Sequence, residues 1–347
     1  MIRVAILGAG IGQEHLAGYR ALPEHFEVAM IVDRDAARLA QITGAHRACE
    51  TLEAALDDPL IDLIDICLPP DLHAQIAIAA LQAGKHVICE KPLATSLADV
   101  DRVAQAAQRS GCAVFPVFQY RFGPAFRALR ALDAAGLLGP AHVASVETHW
   151  SRDAGYYAVP WRGTWAGERG GALLGHAIHA HDLLHWLFGP VDRITARTAT
   201  RINPIETEDC AALLVEFENG ALATSSVTLG AAQGETRLRL VYGNLTATSD
   251  RVAYAPGTGT WRFEARDPAR QAAVDRTVAD AEAGHNGFAG FLHSVALGLQ
   301  GQPSAVTLAE ARASIEGVTA AYLSARTGQT VALPLDRTCA YYEGWQP

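Results

Sequence analysis

A histidine-rich stretch, GHAIHAHDLLH, occupies residues 175–185 and combines several side chains that can do chemistry. At roughly 100° per residue, one face of a helix would carry His176, His179 and Asp182, with the other two histidines opposite. An imidazole titrates near pH ~6.5 and can move a proton at neutral pH. The stretch therefore predicts an acid/base site or a metal site. Its four imidazoles and one carboxylate belong to His176, His179, His181, Asp182 and His185.

A glycine-rich turn near the start of the chain offers a second kind of chemistry. GAGIG (8–12) follows an apolar run and opens a helical stretch. Glycines in that place let backbone N–H groups at a helix N-terminus approach a pyrophosphate. Asp33 closes the next apolar run, where a carboxylate can accept hydrogen bonds from the ribose hydroxyls of NAD. The predicted cofactor-binding residues of this region are Gly8, Gly10, Ile11, Gly12, Asp33 and Arg34.

Asp33 and Arg34 can favour different cofactors, NAD and NADP respectively. A carboxylate opposes the 2′-phosphate of NADP, whereas an arginine beside it can bind that phosphate or stack on adenine. Because the acidic residue stands where the NAD pattern requires it, NAD is the expected cofactor, with NADP possible.

The bulk composition limits the class of protein. The chain has 347 residues, half of them hydrophobic and 19% charged, which is typical of a globular protein with two domains. Its net charge of −9 opposes binding to nucleic acid. It has no long apolar run and no signal-peptide pattern, and its six cysteines are scattered. We therefore expect a cytoplasmic protein that binds neither nucleic acid nor membranes.

Two patterns divide the chain. Over residues 1–122, apolar runs such as RVAILG (3–8) alternate with helical stretches, which predicts an α/β fold: a doubly wound Rossmann sheet of parallel strands. Over residues 123–347, strand-like alternation and the ENGA turn (218–221) predict an α+β domain with a large, mostly antiparallel open sheet. We expect GHAIHAHDLLHWLFG (175–189) to form one helix in this domain. A C-terminal helix can pack back on the Rossmann domain.

Several motifs together resemble one family. CEKPLA (89–94), GAGIGQEH (8–15), PPDLH (69–73), QYRF (119–122) and GERGGALL (167–174) resemble those of the Gfo/Idh/MocA family of NAD(P)-dependent oxidoreductases, and the resemblance covers nearly the whole chain. It implies a Rossmann domain followed by a C-terminal α/β domain with an open sheet. It also implies oxidation or reduction of hydroxyl groups on sugars, cyclitols or related polyols, and a homodimer or homotetramer formed through that sheet.

The resemblance also implies roles for individual residues. Lys91 would contact the reacting hydroxyl and stabilise the developing alkoxide, and His179 would be the general acid/base, in a cleft between the two domains. The family pattern in this helix is D-x-x-x-H-x-x-D. Gly175 replaces the first Asp, so part of the polar role is expected to fall to His176. Further cofactor contacts are expected from Leu68, Pro69, His73, Glu90 and Lys91.

Substrate contacts are expected from side chains that suit polyhydroxylated rings, namely forked arginine donors and aromatic faces. Two alternatives remain open: a metal-dependent enzyme whose ligands come from one face of the histidine-rich helix, and a sensor that binds nucleotide and sugar without turnover. The metal ligands would be His176, His179 and Asp182. The candidate substrate-binding residues are Lys91, Tyr120, Arg121, Trp161, Arg162, His176, His179 and Asp182.

Overall fold

The structure, a computed structural model, describes residues 1–42, 44, 46–304 and 306–345. It divides into two compact units. The first comprises Met1–Phe118 and Phe288–Arg312, and the second comprises Gln119–Gly287 and Ala313–Pro347. The chain thus first passes between units at residues 118–119, close to the sequence-based boundary at 122, and a later helical segment returns to the first unit.

The first unit alternates strands with helices, as the apolar pattern predicts. In chain order its elements before residue 119 are β1 (Ile2–Leu7), α1 (Gly12–Arg20), β2 (Phe26–Val32), α2 (Ala36–Ala40), β3 (Arg47–Cys49), α3 (Glu53–Leu56), β4 (Leu63–Ile66), α4 (Pro70–Gln82), β5 (His86–Cys89), α5 (Leu97–Ser110) and β6 (Val114–Pro116).

The sheet of the first unit has the order β3-β2-β1-β4-β5-β6, and all of its strand pairs are parallel. The central strands are almost wholly buried, because helices cover both faces. This is the doubly wound order in which a dinucleotide binds where the strand order reverses, between β1 and β4. The predicted Rossmann fold is confirmed, and the carboxyl ends of β1, β2, β4 and β5 bring its motifs to one edge.

The second unit contains most of the remaining elements. They are α6 (Pro124–Ala134), β7 (Ala141–Ser151), α7 (Trp165–Glu168), α8 (Ile178–Phe188), β8 (Val191–Ala199), β9 (Cys210–Phe217), β10 (Leu222–Thr228), β11 (Gly230–Tyr242), β12 (Leu245–Thr248), β13 (Arg262–Ala265), α9 (Gln271–Ala279), α10 (Gly287–Leu299), α11 (Leu308–Thr327) and β14 (Val331–Ala332), of which α10 and the start of α11 belong to the first unit.

The second sheet has the order β13-β12-β11-β7-β10-β9-β8-β14. Only its β7–β10 pair is parallel among the described strands, so the predicted large, mostly antiparallel sheet is confirmed. β9 and β10 form a hairpin around Asn219 and Gly220, the predicted turn. Alternate residues of β9 are buried, and Leu214 between them is 41% exposed.

The histidine-rich stretch is not one regular helix. A π turn spans Leu173–Ala177, and α8 begins only at Ile178. The buried carboxylate of Glu208 accepts hydrogen bonds from the amides of Gly171 at 3.0 Å and Leu173 at 2.9 Å. A Cβ on Gly171 would lie 1.9 Å from the Glu208 carbonyl oxygen, so only glycine permits this approach. Glu208 therefore anchors the start of the helix that carries the candidate histidines.

Within the part of the chain that the structure describes, no helix has both the length and the apolar character needed to cross a lipid bilayer. α11 is 20 residues long, but it carries charged side chains throughout, namely Glu310, Arg312, Glu316 and Arg326.

We predict that Glu208 makes stability depend on pH. Burial raises its pKa to about 7, against the opposing hydrogen bonds from Leu173, Tyr322 and Gly171. Between about pH 4.3 and pH 7 the unfolded chain therefore loses this proton while the folded chain keeps it. The stability contributed by the protonated form is present at low pH and is lost as the pH rises through 7.

Urea unfolding of the parent and of Glu208→Gln at pH 5 and pH 8 measures this effect. The free energy of unfolding of the parent, relative to the variant, should fall by about 2 kcal/mol between the two pH values. Glu218→Gln, in the exposed hairpin turn, is the control and should keep a constant difference from the parent. A pH-independent difference for Glu208→Gln would contradict the prediction.

Candidate active site

The glycine-rich turn has the shape that a dinucleotide requires. Gly8 has a φ of +100°, and a Cβ there would lie 2.3 Å from the Cys67 carbonyl oxygen, so this position needs glycine. A Cβ on Gly10 would meet nothing within 4 Å, so the space above the turn is open. Gly12 then begins α1. Backbone N–H groups at this helix N-terminus can receive a pyrophosphate, and the residues present fit NAD.

Asp33 lies just after β2 and is tied to the turn. Its carboxylate accepts hydrogen bonds from the amides of Ala9 at 2.8 Å and Asp35 at 2.9 Å, and Arg38 approaches it at 3.2 Å. Burial raises the pKa of Asp33, but these amides and the Arg38 guanidinium outweigh burial and hold that pKa below its usual value. The carboxylate is therefore charged at neutral pH. Arg34 is exposed beside it.

A buried network of side-chain hydrogen bonds joins α1 to the EKP motif. His15 Nδ1 lies 2.8 Å from Asp65 Oδ2, and His15 Nε2 lies 3.1 Å from Glu90 Oε1. The other Glu90 oxygen accepts the amide of Lys91 at 2.9 Å. Tyr19 also donates to Asp65, at 2.9 Å. The backbone that carries Lys91 is thus held from inside the Rossmann sheet.

The charge of His15 follows from its neighbours. Burial lowers its pKa, but Asp65 and Cys67 outweigh burial and hold the pKa well above the ordinary histidine value. Both ring nitrogens face carboxylates, so both can donate only if the ring is an imidazolium. Burial also raises the pKa of Cys67 to about 12, which keeps this thiol neutral.

His73 connects the two loops that follow β4 and β5. Its Nδ1 lies 2.6 Å from the Pro92 carbonyl oxygen, and its Nε2 lies 2.7 Å from the Leu68 carbonyl oxygen. Burial lowers the pKa of His73, outweighing the two carbonyls. The ring is therefore directed at the backbone of the two loops, next to Pro69.

His179 and Asp182 point from one face of α8. The His179 ring is 4% exposed and stacks on Tyr120 with 4.3 Å between ring centroids. Asp182 binds Arg121 through two hydrogen bonds, of 2.7 and 2.6 Å, and both side chains are 1% exposed. The Arg121 guanidinium also lies 5.5 Å from the Trp186 ring. The short QYR helix, Gln119–Arg121, is therefore fixed against the face of α8 that carries His179.

The other two histidines of the stretch lie on the opposite face, as the helical spacing predicts. His181 bonds to Ser225 of β10 at 2.9 Å. Burial lowers the pKa of His181 and of His185 to about 4, so both are neutral at pH 7. These two rings pack between α8 and its neighbours and do not face His179.

His176 joins a set that the helical spacing does not predict. Its Nε2 accepts from Arg152 Nε at 3.3 Å and lies 3.2 Å from the Tyr156 hydroxyl. Its ring also meets Trp150 edge-on at 5.5 Å. We call the group formed by Trp150, Arg152, Tyr156, Trp161, Arg162 and His176 the arginine–aromatic cluster.

The metal alternative requires three ligands that converge. Both oxygens of Asp182 are held by Arg121, while His176 Nε2 faces Arg152 and Tyr156. His179 is stacked on Tyr120. These separate partnerships do not favour a metal centre built from the three residues.

Two family models match most of the chain. The model described as "Oxidoreductase family, NAD-binding Rossmann fold" matches residues 2–118, and the GFO/IDH/MocA C-terminal domain matches residues 126–246. The chain belongs to the Gfo/Idh/MocA oxidoreductase family. The predicted family is thereby confirmed, and NAD is the cofactor of this oxidoreductase.

Several Gfo/Idh/MocA relatives and structures are similar to the chain. It is 30% identical to the uncharacterised oxidoreductase YrbE of Bacillus subtilis over 70% of this chain and 71% of that protein. It is 27% identical to myo-inositol 2-dehydrogenase of Thermotoga maritima over 70% and 73%. The WlbA dehydrogenase from Bordetella pertussis, solved in complex with NADH and UDP-GlcNAcA, superposes with a TM-score of 0.84 at 28% identity, over 96% and 99% of the two chains.

Two residues of the first unit were missed from sequence. His15 belongs to the GAGIGQEH motif, but no role could be inferred because its partners, Asp65 and Glu90, lie 50 and 75 residues away. Arg38 approaches Asp33 from the first turns of α2. An arginine five residues after the acidic position was the signal for this second contact.

We predict that Asp33 makes this Gfo/Idh/MocA member prefer NAD over NADP by at least about 10-fold in Kd, because its fixed charge opposes a 2′-phosphate. Asp33→Ala leaves Arg34 and Arg38 in place and should narrow or reverse that preference. Fluorescence titration with both cofactors measures the ratio, and Asp57→Ala, exposed after α3, is the control. Equal affinity of the parent for both cofactors would contradict this role of Asp33.

Proposed function

We propose that this protein transfers a hydride between NAD and the hydroxyl carbon of a sugar, cyclitol or related polyol. The observation that carries the proposal is the fixed EKP motif: a buried network holds Glu90, and Glu90 holds the amide of Lys91. The names of two relatives, myo-inositol 2-dehydrogenase and levoglucosan dehydrogenase, support this substrate class.

Lys91 is assigned to the reacting hydroxyl. An ammonium there stabilises the negative charge that develops on oxygen as the hydride leaves the carbon. NAD, when bound, supplies the carbon that accepts the hydride. The residues assigned to hold it are Gly8, Gly10, Ile11, Gly12, Asp33, Arg34, Leu68, Pro69, His73, Glu90 and Lys91. Of these, His73 and Glu90 are assigned to positioning the two loops, because their side chains bind within the first unit.

His179 is assigned to the proton transfer. As a neutral imidazole it takes the proton of the substrate hydroxyl during oxidation, and as the imidazolium it returns that proton during reduction. Tyr120 holds the plane of its ring, and the Arg121–Asp182 pair fixes the helix beneath it. Because that pair is buried and mutually bonded, we assign Arg121 and Asp182 to positioning. The presence of both Lys91 and His179 in the sequence favours turnover over the sensor alternative.

We further propose that the protein is a homodimer or homotetramer assembled through the outer face of the second sheet. Val143 and Leu222, paired across β7 and β10, are 47% and 44% exposed, and Leu214 of β9 is 41% exposed. Exposed apolar side chains grouped on one face favour a partner surface.

Light scattering tests the assembly. The parent should have a mass of two or four times 36.9 kDa, and Leu222→Lys should shift the protein toward the monomer. Leu60→Lys, at an exposed leucine of the first unit, is the control and should leave the mass unchanged. A parent particle of one chain at micromolar concentration would refute the proposal.

We predict that Lys91→Ala and His179→Ala each lower turnover by about 10²–10⁴, the usual contribution of a placed charge or a general acid/base. Both variants should fold and bind NAD nearly as well as the parent, because residues 8–12, 33 and 68–73 are assigned most of the cofactor contacts and Lys91 only a minor one. Turnover is followed by NADH absorbance on the best substrate of a panel that includes myo-inositol and levoglucosan. His181→Ala, on the opposite face of α8, should stay within about 2-fold of the parent. The assignment is wrong if His179→Ala keeps parental turnover.

A further inference from the structure

We propose that the substrate of this protein carries an anionic group, a carboxylate or a phosphate, which is bound by the arginine–aromatic cluster of the second unit. The inference rests on the proposed function and narrows its substrate class from polyols in general to sugars or cyclitols that bear a negative charge. It is carried by the two guanidinium groups of the cluster and by what surrounds them.

Arg162 gives the stronger indication of a bound anion. Its side chain is half-buried, with the guanidinium carbon 3.8 Å from the centroid of the Tyr156 ring and 5.3 Å from that of Trp161. Its Nε is buried and has no hydrogen-bond partner, and the guanidinium forms no ion pair within the residues that the structure describes. A guanidinium carries five N–H donors in a planar fork. The surrounding rings hold this group in place and leave its donors for a ligand.

Arg152 reaches the same aromatic ring, and its own partners are neutral. Its guanidinium lies 4.7 Å from the centroid of Tyr156 and donates to His176, to the Ser151 carbonyl oxygen and to the Tyr254 hydroxyl. Among the described residues, it forms no ion pair with a carboxylate. Two positive charges therefore converge on one tyrosine in a protein whose net charge is −9.

Two carboxylates on this segment accept backbone amides. Asp153 accepts the amide of Tyr156 at 3.0 Å, and Glu168 accepts the amide of Gly163 at 2.6 Å. Holding two guanidinium groups close together is costly unless an anion joins them. A neutral polyol would satisfy some donors but would bring no opposite charge to the two guanidinium groups. A planar carboxylate or a phosphate matches the forked donors and their charge.

The cluster is connected to the proposed acid/base through the chain itself. His176 belongs to the cluster, and His179 follows it three residues later in the same helical segment. Gly175 lies directly before His176, and a Cβ on Gly175 would meet nothing within 4 Å, so the space at that position is open. An anion bound at the cluster would thus lie beside the same helical segment that carries the group assigned to move the proton.

The test compares matched neutral and anionic sugars. Glucuronate carries a carboxylate, glucose 1-phosphate a phosphate and glucose neither. NADH formation gives kcat/KM for each with the parent, Arg162→Gln, Arg152→Gln and the control Arg262→Gln, whose side chain is 71% exposed on β13. The parent should favour at least one anionic sugar over glucose, and that ratio should fall by at least about 10-fold in the two cluster variants, mainly through KM. The control should keep the parental ratio.

Isothermal titration of the same three sugars into the NAD-loaded protein separates this inference from the proposed function. Anion binding that is lost in Arg162→Gln supports the inference even if none of the sugars turns over, in which case the proposed function alone is at fault. A parent that prefers glucose, or cluster variants that lose neutral and anionic sugars equally, would overturn the inference. So would a parent that binds neither anionic sugar.

Discussion

The placement of Lys91, the proposed catalytic lysine, depends on one buried interaction, the contact of the His15 imidazole with two carboxylates, Asp65 and Glu90. These groups are nearly inaccessible to water, so their charges are stabilised by one another and by the hydrogen bonds from Tyr19 and the Lys91 amide. Removal of one partner from a buried ion pair typically costs about 3–5 kcal/mol, because it leaves a charge without compensation. Removal of any one of these three side chains is therefore expected to disturb the positions of the other two. The helix that opens at the glycine turn and the loop that carries Lys91 are held as one piece.

A similar arrangement orders the second unit. The Arg121–Asp182 pair fixes the QYR segment against α8, while Glu208 binds the amides that precede the π turn. Each arrangement places a carboxyl group where water is excluded and surrounds it with several hydrogen-bond donors, which gives direction as well as energy. The orientation of His179 follows from this arrangement, because the backbone beneath it and the Tyr120 ring beside it are both fixed.

Local patterns in the sequence were enough to predict much of the fold. The buried parallel strands, the turn from Gly8, the charge at Asp33 and the β9–β10 hairpin all depend on residues that are close in the chain, so their spacing carries the information. The hydrogen-bond network of Asp65, His15 and Glu90 could not be predicted from local spacing, because its residues come from three separate parts of the sequence. The contacts of Arg152 and Tyr156 with His176 could not be predicted either. The sequence around Arg152 and Tyr156 does not indicate that these residues contact the histidine-rich helical segment.

The histidine-rich stretch shows why spacing on an ideal helix is a limited guide. A wheel drawn at a constant angle places His176 and His179 on one face, but the π turn closes its hydrogen bonds over five residues instead of four and so changes the rotation between the two. His181 and His185 lie within the regular helix α8, and their placement on the face opposite His179 was predicted correctly. The π turn therefore allows one short segment to present separate histidines to separate partners: His176 to Arg152 and Tyr156, and His179 to Tyr120.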